Sequence, residues 1–448
     1  MTHMYHEVAL SASATANAPL RKVLMLAYYF PPMGLSGVQR TAKFVKYLPE
    51  FGWKPIVLTI NPTAYFAYDE SLLAELSHPA IEIVRTDTKD VTKLAASAAK
   101  RRQFKMPAEP TRKLLSAISQ FFFIPDNKIG WKKYAIEQAS AIIEREKDIE
   151  VIYSTAPPFS SHLIALDLRA KYHLPIVLDF RDPWVENPSH FYWTLFHRRR
   201  HEALEERALT YADRIITANR ALKELFLKKY FGRVQHKDIS IIWHGYDAED
   251  FQLAKPEPRS QQKLRFVYCG RFFLSSPEPF FKGLKIALAK APALRKHIEL
   301  YFVGIFPKQY ERMAEKYGLK ELMVVRGYLP HRNAVAELLN ADVLWAALDA
   351  TKGTETITHG KLFEYAAARK TLFGIVPDGA ARQFILEANG LVAHPKKPRE
   401  IAQKILELYA LWQKHELPVP SNAFVARFER RQLAAQLAKE FGQLIRID

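Results

Sequence analysis

Short, nearly continuous apolar runs alternate with stretches of helical spacing along almost the whole chain. Lys22 to Tyr29 (KVLMLAYY) is the first such run, the pattern of a parallel strand buried on both faces. Phe30 to Gly37 (FPPMGLSG) follows, and its prolines and glycines predict a turn-rich loop. Val38 to Phe51 has helical spacing, Gly52 stops it, and Pro55 to Ile60 predicts a second strand. That is a βαβ unit, the opening of a doubly wound sheet. The alternation goes on, with strands expected at Val151–Ser154, Pro175–Asp179, Arg214–Ala218 and Ile239–Trp243. Helices are expected over Ser160–Tyr172 and up to Tyr211. Ala254 to Gln262 (AKPEPRSQQ) is polar and proline-bearing, and reads as a linker. Beyond it the pattern restarts. Strands at Leu264–Cys269, Ile298–Val303 and Met323–Arg326 end at Gly270, Gly304 and Gly327, and two more are expected at Asp342–Ala346 and Thr371–Val376. Phe424, Phe428, Leu433, Leu437, Phe441 and Leu444 carry helical spacing to Ile445.

The pattern predicts an α/β protein of two tandem Rossmann-like domains, residues 21–254 and 263–423, behind a loose lead of residues 1–20 and ahead of a last segment, 424–448. A chain of 448 residues is too long for one open α/β core, which agrees. Ligands of such sheets sit beyond the carboxyl ends of the strands, so the expected site is the cleft between the two domains.

Composition narrows the function. The lone Cys269 excludes an intrachain disulfide and a cysteine-based zinc cluster. The net charge of +18 asks for an anionic partner: nucleic acid, anionic lipid or a phosphorylated substrate. No zinc module, RNP-type motif or basic zipper supports nucleic acid. A dinucleotide oxidoreductase should show GxGxxG after the first strand and an acid near the end of the second, and neither is present. No stretch approaches the ~20 apolar residues that span a bilayer, and Met1 to Leu20 lacks the cationic n-region of a secretory signal. The expected location is the cytoplasm, on the inner face of the membrane.

Seven blocks then occur in order: FPPMGLSGVQR, LDFRDPW, YADRIITAN, HGYDAEDF, YCGRFF…FKG, RGYLPH and GKLFEYAAARK. Together the set resembles the retaining GT-B glycosyltransferases of the family 4 type, also called group 1 transferases, from Arg21 onward. The resemblance implies a GT-B fold, two doubly wound domains facing across a cleft. It also implies that segment 424–448 packs back on the N-terminal domain. The implied activity is transfer of a hexose-type sugar from a nucleotide-sugar donor to a cell-envelope glycan or lipid-linked acceptor, with no cofactor and no metal. Epimerases and catalytically silent relatives share the fold and remain alternatives.

The resemblance also suggests site residues. Gly34 and Gly37 form a loop facing the donor diphosphate and sugar, where glycine permits close backbone approach. Gly270 and Arg271, with Lys282 of the Lys282-Gly283 pair, would stabilise charge on the departing diphosphate. In Gly360-Lys361-Leu362-Phe363-Glu364, backbone groups meet phosphate, and the Glu364 carboxylate suits a ribose diol. Many relatives carry a second glutamate eight positions earlier. Here that place is Thr356, beside Glu355, and both are sugar-contact candidates. A histidine common near position 181 is also missing, which leaves Arg181, Asp182 and, one helix earlier, His162 as candidates. Asp182-Pro183 also makes a good turn.

A basic stretch holding Arg101, Arg102 and Lys105 precedes an apolar stripe ending in Phe121, Phe122 and Phe123, and His190 to His201 (HFYWTLFHRRRH) repeats the mixture. Cations and aromatics together suit contact with an anionic membrane surface. The plainer reading is a stripe packed on the N-terminal domain. The charge of +18 and the lipid-linked acceptors of the family favour the membrane.

Overall fold

The computed structural model describes residues 19–34, 36–62, 68–89, 117–259, 262–272 and 274–445. Two all-parallel sheets organise it. The first runs β3-β2-β1-β4-β5-β6-β7, with β1 Arg21–Leu26, β2 Trp53–Ile60, β3 Glu82–Thr86, β4 Ile149–Ala156, β5 Ile176–Phe180, β6 Arg214–Thr217 and β7 Ile239–Ile241. The second runs β10-β9-β8-β11-β12-β13, with β8 Leu264–Cys269, β9 Ile298–Val303, β10 Met323–Gly327, β11 Val343–Ala347, β12 Thr371–Ile375 and β13 Leu391–Ala393. In each sheet the strand order reverses beside the first strand (β1 against β4, β8 against β11), and those switch points are where such sheets hold ligands. The GT-B arrangement of two Rossmann-like sheets expected from the sequence is present.

The central strands are apolar on both faces because helices cover both sides, and Val23 to Leu26 are fully buried. Packing explains one motif glycine. The helix Glu278–Lys290 lies on the helix Pro398–Gln413, and a Cβ on Gly283 would sit 2.3 Å from Ile401 Cγ2. Gly283 is therefore a helix-packing residue.

The last segment is two helices, where continuous spacing predicts one. In Asn422–Ala426 and just beyond, Phe424, Val425 and Phe428 join the core of the second sheet. In Arg430–Ile445, Leu433, Leu437 and Phe441 join the core of the first. The chain crosses over at the break, where Tyr246 N–H donates to Phe428 O (3.1 Å) and Arg430 N–H to Tyr246 O (2.9 Å). Among the described residues no helix is long and apolar enough to cross a membrane.

Candidate functional site

At the carboxyl end of β5, Asp179 is wholly buried. Its carboxylate takes a bidentate pair from Arg40 (2.9 Å at each oxygen) and the Tyr153 hydroxyl (2.6 Å). Burial pushes this carboxyl up, but the Arg40 guanidinium and its hydrogen bonds outweigh that and hold it below the usual range. Arg181, two residues on, donates to three backbone carbonyls: Ala156 O at 3.2 Å, Gly37 O and Pro157 O. Gly37 lies in the first turn of the helix Ser36–Tyr47 and not in a loop, and a Cβ on it would lie 2.6 Å from Arg181 Nη1, so glycine is what lets the helix end and the guanidinium approach. With three of its five donors on carbonyls, Arg181 ties the first turn of the helix Ser36–Tyr47 to the end of β4 as a positioning residue. Asp182 differs. It is part-exposed, makes no hydrogen bond or ion pair with a described residue, and burial raises its pKa against the pull of Arg181.

His162 does not reach this surface. It is fully buried, with Nδ1 2.9 Å from Ser154 Oγ and its ring 4.5 Å from that of Phe180, and burial pushes it down to about 3. It is a neutral core histidine, and the sugar-contact expectation is corrected.

On the second sheet Gly270, Gly304 and Gly327 end adjacent strands at φ of 103°, 114° and 72°. The strand ends are tied by Gly270 N–H to Val303 O and Gly304 N–H to Gly327 O, both 2.7 Å. These left-handed turns take the chain away from the strand axes, and only glycine adopts them without strain. Arg271 starts just beyond this floor. The Lys361 ammonium lies 4.0 Å from the centre of the Tyr268 ring and would be 3.4 Å from a Cβ on Gly270. Burial, reinforced by Arg271, pushes Lys361 down to about 8. A Cβ on Gly360 would meet nothing within 4 Å, so Gly360 borders open space, while Leu362 beside it is core.

Glu364 pairs with His331 (3.0 Å), whose other ring nitrogen is 3.5 Å from Asp250. Burial raises Glu364, but His331 overrides it and holds the carboxyl below its ordinary range. Burial lowers His331, but Glu364 and Asp250 together raise it.

Three other expectations change. Lys282 does not join Arg271: it is exposed on its helix and paired with Glu278 at 2.9 Å, because the buried side of that turn is Gly283. The Thr356 hydroxyl donates to Gly353 O (2.9 Å), and Thr356 O accepts from Asn219 of the first sheet (2.8 Å). Exposed Glu355 accepts from Gly353 N–H (2.8 Å). This turn joins the two halves of the molecule, and both side chains make hydrogen bonds within it. The cation beside Arg271 is Lys361.

Across the cleft the Tyr328 hydroxyl donates to Gly34 O (3.4 Å). Four residues given no role from sequence belong here. Arg40 and His331 hold site carboxylates. Arg430 holds the turn after β7 through Gly245 O (3.0 Å), and that turn carries His244. Glu75, Asp247 and Asp250 converge in a way that could suit a metal, but the Lys43 ammonium already sits among them at 2.6, 2.6 and 3.1 Å.

The two aromatic clusters meet. Trp193 Nε1 donates to Ala117 O (2.7 Å), Phe191 N–H donates to Gln120 (2.7 Å), and the Phe121 and Trp193 rings are 5.7 Å apart. Phe122, Phe191, Leu195 and Phe196 are each more than half exposed. Phe123 is half-buried. Arg101, Arg102 and Lys105 lie outside the described residues.

Residues 37–250 match the profile of Glycosyltransferase Family 4, and residues 263–410 that of Glycosyl transferases group 1. No curated protein matches the sequence. Sucrose-phosphate synthase from Thermosynechococcus elongatus has a similar structure: TM-score 0.65, 14% identity, 96% of this chain and 100% of that one covered. Anabaena HepE, solved with UDP and glucose, gives TM-score 0.62 and 15% identity over 94% and 100%. WaaG, a glycosyltransferase involved in lipopolysaccharide biosynthesis, gives 0.58 and 15% over 95% and 100%.

Proposed function

The chain belongs to the family 4, group 1 glycosyltransferases, and from that membership we propose that it moves a hexose-type sugar from a nucleotide-sugar donor to a cell-envelope glycan or lipid-linked acceptor, retaining the anomeric configuration. One observation carries this reading: the Lys361 ammonium stands over Gly270 on the glycine floor of the second sheet, where the charges of Arg271 and Glu364 both reach it. A departing diphosphate gains negative charge as the glycosidic bond breaks, and fixed cations stabilise that state more than the intact donor. Arg271 and Lys361 supply them, so the reaction uses no catalytic metal. Glu364, kept ionised by His331, accepts from the ribose hydroxyls. The start of the helix Ser36–Tyr47, held by Arg181 through Gly37 O, faces the donor from the first sheet. Asp182, free of partners among the described residues, meets the acceptor side. Attack comes from the front face, and the leaving phosphate oxygen takes the acceptor proton, as the family resemblance implies.

The acceptor side faces a membrane in this reading. From Asp182 the chain runs through buried Trp184, stacked on Phe159 at 4.6 Å, to exposed Phe191 and Trp193. Exposed Arg199 and Arg200 follow on the next helix, Leu195–Tyr211. Contiguous exposed aromatics with adjacent cations suit the headgroup boundary of an anionic bilayer. The test is to incubate the protein in excess chelator with a panel of UDP- and GDP-hexoses, following melting temperature and nucleotide release. One donor should stabilise the protein by mass action and be turned over without metal. Complete loss of turnover on chelation, restored by magnesium or manganese, would overturn the metal-free mechanism.

A further inference from the structure

The turn after β7 is fixed from both sides. Arg40 donates to Ile242 O (2.9 Å) and Trp243 O (2.6 Å), and Arg430 donates to Gly245 O (3.0 Å). Gly245 is pinned as well, because a Cβ there would lie 2.3 Å from Phe428 O. Two buried guanidinium groups thus hold the backbone on either side of His244. Its ring lies 6.1 Å from that of Phe363, inside the Gly360–Glu364 block of the other sheet. His244 therefore stands where the two sheets meet, between the helix end that Arg181 holds and the donor block.

The imidazole is part-exposed, and neither ring nitrogen hydrogen-bonds to a described residue. Burial, with Arg40, Arg181 and Arg430 nearby and only Asp179 opposing, pushes His244 well below its ordinary range. The ring is neutral, so it offers one N–H and one lone pair. That pairing fits a hydroxyl, which both accepts and donates, and it does nothing special for phosphate, which has Arg271 and Lys361.

We infer that His244 is a specificity-determining residue that hydrogen-bonds a hydroxyl of the transferred hexose. The inference rests on the nucleotide-sugar reading above. His244→Phe keeps a ring against Phe363 and removes both polar atoms; His244→Asn keeps a donor and an acceptor. The probe is the UDP- or GDP-hexose that most raises the melting temperature of the unchanged protein, with its monodeoxy analogues and the bare nucleoside diphosphate. The unchanged protein should release nucleotide about tenfold more slowly from one monodeoxy donor, the worth of one well-placed hydrogen bond. His244→Phe should lose that discrimination while the bare nucleoside diphosphate still stabilises it within twofold of the unchanged protein. If His244→Phe does not fold, the His244→Asn profile decides, and it should change at that one hydroxyl. An unchanged deoxy-donor profile in a folded variant overturns the His244 assignment alone. If no nucleotide sugar stabilises the unchanged protein, the donor reading falls, and this assignment with it.

Discussion

Lys361→Met should make the empty protein more stable and the enzyme far slower. Lys361 sits in a shielded position with its pKa at about 8, against an ordinary 10.5. At 1.36 kcal/mol per pH unit, holding that ammonium charged in the folded state costs about 3 kcal/mol. Methionine removes the cost but also the contact with the Tyr268 face, worth about 1 kcal/mol. The net is a gain of about 2 kcal/mol at pH 7. The pH dependence has a definite sign. Below pH 8 both folded and unfolded chains carry the proton, and the penalty is complete. From about pH 8 to 10.5 only the unfolded chain still binds it, so the unchanged protein gains stability as pH rises. Its deficit relative to Lys361→Met should therefore narrow across that window. Donor-dependent nucleotide release should drop by about 100- to 1,000-fold in the variant, the loss of one donor to a developing anion. Melting curves at pH 7 and 9.5, with release rates at pH 7, measure both. A variant less stable than the parent at pH 7, or one with near-normal release, would refute the reasoning.

Arg271→Ala and Glu364→Gln should each remove most transfer while leaving the fold intact; the first should also weaken binding of the bare nucleoside diphosphate, read by its melting shift. The raised pKa of His331 means that its pair with Glu364 contributes fully below pH 6.5 and is lost as pH rises through that raised value. His331→Gln should therefore remove that pH-dependent part of the stability, which melting curves across a pH series measure. The protein should sediment with anionic vesicles at low salt, and replacing Phe122, Leu195 and Phe196 by serine should weaken this several-fold. Unchanged sedimentation in that triple variant would take these aromatics out of the membrane contact, and failure of the unchanged protein to sediment would send the charge excess to another partner.

The fold was legible because its central strands are apolar runs, and parallel strands buried on both faces have to be. Glu82–Thr86 and Leu391–Ala393 were not, being a half-buried edge strand and a three-residue strand that leave too few apolar positions. The break after Ala426 was hidden because Phe424, Phe428 and Leu433 keep helical spacing while belonging to different cores. In the site, Gly37, Arg271 and Glu364 were proposed from ordered motifs, and the ordered motifs are what sequence alone can offer there. Lys282 misled, because a Lys-Gly pair in a helix reads the same whichever of the two is packed, and here it is the glycine. Arg40 and His331 stood at the ends of quoted motifs and Arg430 in none, but their roles were hidden, because a buried cation differs from a solvated one only by a partner distant in sequence. Arg40 meets Asp179, and Arg430 meets Gly245. His244 stood in a quoted motif, but its lowered pKa comes from burial where the sheets meet, with guanidinium groups from three separate segments adding to it.

The central claim is retaining transfer from a nucleotide sugar, and the configuration of the product tests it most directly. Labelled α-linked UDP- and GDP-hexoses would be incubated with the protein and an envelope glycolipid extract, and the product's new linkage read by its anomeric proton coupling and by cleavage with α- or β-specific glycosidases. The account predicts label in a glycan or glycolipid through an α linkage that only the α-specific enzyme removes. A β-linked product, or label recovered solely as an epimerised nucleotide sugar, would contradict it.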